Sequence, residues 1–143
     1  MREILFRGKR KDNGKWVEGA FLHLNVGRDF ICDGTVWIGT LQPVKYEVDP
    51  ETVGQFTGLT DKNGKKIFEG DIVRYVNPDE DVITGRVSYG EHSYSGTHEV
   101  GFYVEWQKPE WAMYLRDDLG FWTNFREIEV IGNIHDNPEL LED

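Results

Sequence analysis

The sequence predicts an all-β protein, with helix limited to short turns, built from bent antiparallel sheets. Two Asn-Gly pairs, Asn13-Gly14 and Asn63-Gly64, stand between apolar segments, and this pair is the strongest short-range signal for a β-hairpin. The 16 glycines interrupt the chain at intervals typical of strand boundaries. No stretch of the sequence carries the long apolar period of 3.6 residues that a packed helix needs.

The first half of the chain is predicted to consist of short strands joined by turns. At Asn13-Gly14 we expect a type I′ turn, in which both central residues take positive φ. Pro50 follows Asp49, a good N-cap residue, and this pair predicts one helical turn. The predicted strands are 4–8, 16–22, 29–32, 35–38 and 43–48.

The second half predicts further strands and two loops. Residues 77–81 are polar, and residues 90–99 are rich in Gly, Ser and His, so both segments are expected to be exposed loops. Residues 111–115 fit a strand or a helical turn, and residues 137–141 a terminal helical turn. The predicted strands are 72–75, 82–89, 100–106 and 128–134. We expect them to form a small SH3-like or barrel-like core behind an N-terminal hairpin region.

The chain length fits one domain. A domain of 143 residues buries enough surface to fold without a metal or a disulfide. We therefore predict a single domain over residues 1–143. The alternative is a division into an N-terminal β region, 1–60, and a barrel-like region, 61–143, although no Pro-rich or Ser-rich linker separates them.

The composition predicts a protein of a reducing compartment, such as the cytoplasm, with poor nonspecific affinity for nucleic acid. The formal net charge is −10, and a negative body repels phosphate backbones. The single Cys32 cannot form an internal disulfide, which favours a reducing compartment. No stretch approaches the ~20 apolar residues of a membrane span, and the first residues lack the apolar core of a signal peptide.

Three blocks of sequence resemble the YopX family of phage and prophage proteins. The blocks are Arg2–Gly19, Thr52–Val73 and Glu129–Leu140, and the middle one, which contains Thr57-Gly58-Leu59-Thr60-Asp61-Lys62-Asn63-Gly64, is the most specific. The resemblance covers the chain from end to end. It implies a mostly β, cytoplasmic accessory protein of a phage or prophage that associates with itself. It implies no activity, cofactor or catalytic residue.

Two groups of residues could carry chemistry. Glu69 and Asp71 would share one face of a strand, as paired acid–base carboxylates do, but Gly70 between them favours a turn in which Asp71 accepts backbone N–H bonds. His92 and His98 could begin a metal site, but a zinc site needs more ligands at closer spacing. We therefore predict no catalytic residue, no metal and no cofactor.

The predicted binding surface has an aromatic part and a basic part. Among the aromatic residues, which include Trp37, most are assigned to the core, while Trp111 and Trp122 are expected to be exposed anchors for a partner. The basic part consists of Arg7, Lys9 and Arg10, which would either face water or contact an anionic partner.

Three functional hypotheses follow. The first is a non-enzymatic module for protein binding or assembly that forms a homo-oligomer. The second is a nucleic-acid-linked regulator that uses the basic hairpin, or a DNA mimic that uses the acidic body. The third is a hydrolase that uses Asp71 or the segment between His92 and His98.

Overall fold

The protein is β-dominated, as the sequence predicts. The computed structural model describes residues 3–24, 26–94, 96–107 and 116–141. The chain divides into two compact units, Met1–Phe56 and Thr57–Asp143. Both the single domain over residues 1–143 and the division into regions 1–60 and 61–143 stay predictions about domains.

The first unit is an antiparallel sheet with the strand order β4-β3-β2-β1-β5. The β1–β2 hairpin pairs Lys9 with Trp16 and Phe6 with Gly19. A 3₁₀ turn at Pro50–Thr52 precedes β5, as Asp49 and Pro50 predict. The strands are β1 (Phe6–Lys9), β2 (Trp16–Leu24), β3 (Arg28–Cys32), β4 (Tyr46–Val48) and the first part of β5 (Gly54–Thr60).

A small apolar core holds the first unit together. Val17, Ile31 and Val48 are buried at its centre. Gly8 allows β1 to lie close to this core, because a Cβ at Gly8 would be 3.1 Å from the Cβ of Val48. The half-buried residues that pack around the centre are Phe6, Phe21, Tyr46 and Val53.

The second unit contains the end of β5 and a four-stranded antiparallel sheet. The β5 strand lies beside β6, and the sheet has the order β10-β7-β8-β9. A short helix and a terminal 3₁₀ turn complete the unit. The elements are β6 (Lys66–Phe68), β7 (Asp71–Val76), β8 (Val82–Tyr94), β9 (Thr97–Trp106), α1 (Leu119–Phe125), β10 (Glu129–Asn133) and the 3₁₀ turn Pro138–Leu141.

The core of the second unit centres on two tryptophans. Trp122 of α1 is fully buried, and its ring centre lies 4.6 Å from that of Trp106 on β9. Tyr75 of β7 packs edge-on against Trp122 at 5.1 Å. The other buried members are Ile67, Val73, Ile83, Val87, Val104, Leu119, Ile128 and Val130.

The prediction of a barrel-like core is wrong in one respect, since the described strands form open sheets and no closed barrel. In the first unit, the end of β1 touches β4 through one isolated bridge between Arg10 and Val48. A single bridge does not continue a ladder, so the edges of the sheet stay open.

The loop predicted at 90–99 is also wrong. This segment is the far end of the β8–β9 hairpin, where Glu91 pairs with Val100 and His92 with Glu99. The register of β7 ends at Arg86, so the rest of β8 has only β9 as a described strand neighbour. Most described side chains in this ribbon are exposed, which removes the apolar alternation on which strand prediction depends.

Both Asn-Gly pairs form hairpin turns, but the type I′ prediction is wrong. Positive φ is confined to the glycines, at 70° for Gly14 and 81° for Gly64. Each turn therefore needs the conformational freedom of glycine at one position only, and Asn13 and Asn63 keep negative φ.

Candidate functional site

The loop between β3 and β4 carries four exposed large apolar side chains within six residues. Every residue from 33 to 43 is exposed. Ile38 is 100% exposed, Leu41 74% and Trp37 61%, and Val36 lies beside them at 43%. We call these four residues the apolar tip. Large apolar side chains grouped in this way mark an interaction site more often than scattered ones do.

Backbone hydrogen bonds give the apolar tip a defined shape. The Trp37 N–H donates to the Gln42 carbonyl, and the Leu41 N–H donates to the Trp37 carbonyl, both at 2.9 Å. Nearer the base, the Val44 N–H donates to the Thr35 carbonyl at 2.8 Å. These bonds hold the loop as a narrow projection, although only Val36 and Pro43 pair as an isolated bridge. The strand predicted at 35–38 is therefore wrong.

Leu41 holds a conformation that a leucine rarely adopts. Its φ is +57°, and that of Gly39 in the same turn is +96°. The left-handed region costs an L-residue with a side chain about 1–2 kcal/mol. Strained residues are frequent at functional sites, so this turn is a candidate for one.

Asp33 closes the base of this loop. Its carboxylate accepts a hydrogen bond from the Thr35 N–H at 3.0 Å. This bond holds the pKa of Asp33 below its ordinary value, and the Arg10 guanidinium contributes to the same effect. The bond between the Asp33 carboxylate and the Thr35 N–H therefore fixes the base of the loop.

A separate groove lies in the second unit. Its volume is about 800 Å³. Val76 at the end of β7 pairs with Val82 of β8, and these two valines are 47% and 52% exposed. The groove is lined by Tyr75, Val76, Asn77, Pro78, Thr123, Asn124, Arg126 and Glu127. Its wall is thus part apolar and part polar.

The charge of the protein is unevenly divided between the two units. Residues 1–56 contain eight Lys or Arg and eight Asp or Glu, whereas residues 57–143 contain eight and 18. The formal net charge of −10 therefore belongs entirely to the second unit. Three of its acidic residues, Asp79, Glu80 and Asp81, are exposed in the turn that follows Pro78 of the groove.

The predicted basic surface lies along β1, where its cations pack over aromatic rings of the same unit. Arg7 and Lys9 lie over the ring of Trp16, at 4.7 and 5.7 Å from its centre. Arg10 lies 4.3 Å from the centre of Tyr46 and pairs with the Asp12 carboxylate at 2.6 Å. These intramolecular contacts occupy part of the positive charge, and a role of this surface in binding stays a prediction.

The aromatic anchors predicted from the sequence are not the ones that the structure exposes. Trp122 is buried at 0% exposure, and its indole N–H donates to the Arg116 carbonyl at 2.6 Å, so its assignment as an exposed anchor is wrong. The reason is that α1 lies on the core of the second unit. Trp111 lies outside the described residues. Trp37 belongs to the group of aromatic residues that the sequence assigns mostly to the core, and it is exposed.

Asp71 has the structural role that the turn predicts. It is 1% exposed, and its carboxylate accepts the Phe68 N–H at 2.8 Å across the turn that contains Gly70. Gly70 has a φ of +92°, which glycine adopts readily. Asp71 therefore shapes the β6–β7 connection, as expected for a turn aspartate.

His92 and His98 lie on opposite faces of the β8–β9 ribbon. His92 is the cross-strand partner of Glu99, and His98 that of Ser93. Partners share a face and neighbours along a strand do not, so the two imidazoles cannot bind one ion. Within the described ranges, no three His, Cys, Asp or Glu residues are placed to hold a metal. His92 stacks on Tyr103 instead, at 5.0 Å.

Comparison with known proteins now decides the family. The family model described as "YopX protein" matches residues 5–142. The chain belongs to the YopX family. This confirms the resemblance carried by the three sequence blocks.

A solved structure is similar to this YopX-family protein over nearly its whole length. The crystal structure of protein EF1440 from Enterococcus faecalis is similar, with a TM-score of 0.50 and 25% identity over 99% of this chain and 100% of that one. No curated protein matches the sequence significantly. Within the residues that the model describes, no helix has the length and apolar character of a membrane span.

Proposed function

We propose that this YopX-family protein is a non-enzymatic protein-binding module and that the apolar tip is its main contact. The observation that supports the proposal is the exposure of Trp37, Ile38 and Leu41 on one hydrogen-bonded projection. Burial of apolar surface is favourable by about 25 cal/mol for each Å² removed from water. The exposed tip does not gain this free energy in the isolated protein, and a partner that covers the tip would provide it. A preorganised loop also loses little conformational entropy on binding.

The setting of this activity is a proposal that rests on the family. We place the protein in the cytoplasm of a bacterium, where it acts as an accessory protein of a phage or prophage and binds a protein of the host, of the phage, or itself. The family resemblance supports this setting.

A DNA mimic is the second candidate, because one observation favours it. All of the excess negative charge falls in residues 57–143. A concentrated acidic body can occupy the DNA site of a DNA-binding protein. Under this candidate, added duplex DNA displaces the captured partner, whereas a partner held by the apolar tip is retained.

The hydrolase hypothesis has less support than the protein-binding module or the DNA mimic. Asp71 is buried and accepts the Phe68 N–H, and His92 and His98 lie on opposite faces of a ribbon. These are the residues on which that hypothesis depended.

The test is a comparison of captured proteins between matched variants. Tagged wild type, Ile38→Asp and Val26→Asp are used as baits in lysate of phage-infected bacteria, and the captured proteins are quantified by mass spectrometry. Val26 is the control because it is 75% exposed and lies in the turn at the opposite end of β3. We expect a partner that wild type and Val26→Asp retain and Ile38→Asp loses. Equal capture by all three baits would refute a role of the tip.

A further inference from the structure

We propose that the outer edge of β9 is a second protein-binding site, where an extended, basic segment of a partner protein adds a strand to the sheet. The strand β9 is the last in the order β10-β7-β8-β9, so one side of its backbone has no strand of this sheet beside it. We call the outward side of Val100 and Phe102 the open edge. It belongs to the second unit and is a different contact from the apolar tip.

The backbone groups of Val100 and Phe102 point away from β8. The Val104 N–H donates outward, at 2.8 Å, to the Asp117 carbonyl. Backbone groups alternate between the two sides of a strand, and the β8–β9 register has no shift, so Phe102 and Val100 point the same way as Val104. Among the residues that the structure describes, none bonds to these outward groups of Val100 and Phe102. A row of unpaired N–H and C=O groups is a template for one more strand.

The side chains at the open edge are apolar and accessible. Val100 is 66% exposed, and Phe102 is half-buried. Tyr89 of β8 is the cross-strand partner of Phe102, and the two rings meet edge-on at 5.0 Å. These three side chains share one face of the ribbon, because partners lie on the same face and so do alternate residues of a strand. A strand added at the open edge therefore places every second side chain against apolar surface.

The charge of the second unit favours a basic partner over a second copy of the chain. Eight Lys or Arg stand against 18 Asp or Glu in residues 57–143, and residues 87–106 contain three Glu and no Lys or Arg. Arg86 pairs with Glu105 at 2.8 Å and offsets one of these carboxylates. A second copy would bring the same acidic excess to the contact, whereas a basic segment is attracted to it.

Glu99 gives the partner strand its alternation. Neighbours along a strand face opposite sides, so Glu99 lies on the face opposite to Val100. Its side chain is 44% exposed, and its contacts with His92 and Arg116 are long, at 3.4 and 3.8 Å. An antiparallel strand at the open edge thus sets apolar side chains beside Val100 and cations beside Glu99. The partner segment is expected to alternate apolar and basic residues.

The test uses a short, blocked, fluorescent peptide of alternating valine and lysine, with binding followed by anisotropy. Two N-methylated forms keep its charge. One is methylated at the valine amides, which face the open edge in antiparallel pairing, and the other at the lysine amides, which face solvent. A peptide of alternating valine and glutamate tests the preference for positive charge.

The matched protein variants are Val100→Lys and Val82→Lys. Both valines are more than half exposed and lie in the second unit, so both variants should fold as wild type does. Ile38→Asp separates the open edge from the apolar tip. Hydrogen exchange measured by NMR reports whether the amides of Val100 and Phe102 become protected when the peptide binds.

We expect wild type, Val82→Lys and Ile38→Asp to bind the valine–lysine peptide equally, and Val100→Lys to bind it at least about 10-fold more weakly. Methylation of the valine amides should weaken binding by a similar factor, and methylation of the lysine amides should not. The amides of Val100 and Phe102 should become protected. The valine–glutamate peptide should bind at least about 10-fold more weakly than the valine–lysine peptide.

Four results would overturn the inference. Absence of binding by wild type would exclude the site. Equal binding by the two methylated peptides would show attraction to the acidic unit without strand pairing. Equal binding by Val100→Lys and Val82→Lys would place the contact elsewhere. Equal binding of the lysine and glutamate peptides would exclude a basic partner. Each of these results leaves the proposed function of the apolar tip standing, because that function is tested by capture through Ile38.

Discussion

The carboxylate of Asp61 accepts a hydrogen bond from the backbone N–H of Val130 at 2.9 Å, although the two residues are 69 positions apart in sequence. The other oxygen of the same carboxylate accepts the N–H groups of Asn63 and Lys65, each at 2.9 Å. One buried side chain thus closes the β5–β6 turn and ties it to β10.

Replacement of Asp61 by alanine should destabilise the protein strongly. The substitution leaves the buried N–H of Val130 and two turn N–H groups without their acceptor, and we expect a loss of about 2–4 kcal/mol in the free energy of unfolding. Urea denaturation followed by circular dichroism measures it. Asp12→Ala is the control, since Asp12 is exposed in the other Asn-Gly hairpin and its replacement should leave the free energy of unfolding almost unchanged. Similar losses in both variants would contradict this account.

Two glycines of the β8–β9 hairpin should respond differently to alanine. A Cβ at Gly85 would lie 2.7 Å from the Glu105 carbonyl oxygen and 2.7 Å from a methyl group of Val104. A Cβ at Gly101 would meet nothing within 4 Å. We expect Gly85→Ala to lower the free energy of unfolding by about 1–3 kcal/mol, and Gly101→Ala to leave it unchanged or raise it slightly. Thermal unfolding of the two variants checks the order.

Trp37 and Trp122 differ in burial and can be distinguished by fluorescence. Trp37→Phe should remove emission that acrylamide quenches readily and should change stability by less than about 0.5 kcal/mol, because Trp37 is exposed. Trp122→Phe should remove protected emission at shorter wavelength. It should also cost about 1–3 kcal/mol, because it deletes core volume and the hydrogen bond to the Arg116 carbonyl. Loss of protected emission in Trp37→Phe and of readily quenched emission in Trp122→Phe would contradict the burial of Trp122 and the exposure of Trp37.

Leu41 should be replaceable with a gain in stability and a loss in binding. Asparagine tolerates the left-handed region better than leucine does, so Leu41→Asn should raise the free energy of unfolding by up to about 1 kcal/mol. The same variant removes an apolar side chain from the tip and should weaken capture of the partner. Ile38→Asn is the matched control, because Ile38 lacks positive φ, and it should weaken capture with no gain in stability. A loss of stability in Leu41→Asn would argue against strain.

The base of the apolar loop should weaken in acid. The pKa of Asp33 is below its ordinary value of 3.8 because the carboxylate accepts the Thr35 N–H and lies near Arg10. The stabilisation is therefore present above the pKa of the unfolded chain and is lost as pH falls through the lower folded value. We expect an NMR titration of the Asp33 carboxyl group to give a midpoint below 3.8. The amide signal of Thr35 should shift with the same midpoint, and a midpoint above 3.8 would contradict this role.

Local sequence patterns were sufficient for the β class, the two Asn-Gly hairpins, the helical turn after Asp49 and the turn role of Asp71. Each of these features depends on residues that are close together in sequence, so turn chemistry and capping determine them. Membership of the YopX family could also be predicted from the sequence, because the matching blocks are continuous segments.

Tertiary structure alone decided which aromatic residues are buried, which faces the histidines occupy and where the apolar tip lies. Trp37 and Trp122 are the same residue type, and only the packing of α1 on the core of the second unit buries one of them. The faces of His92 and His98 follow from the β8–β9 register. Burial and register depend on contacts between residues distant in sequence, and a local pattern of apolar residues does not contain that information.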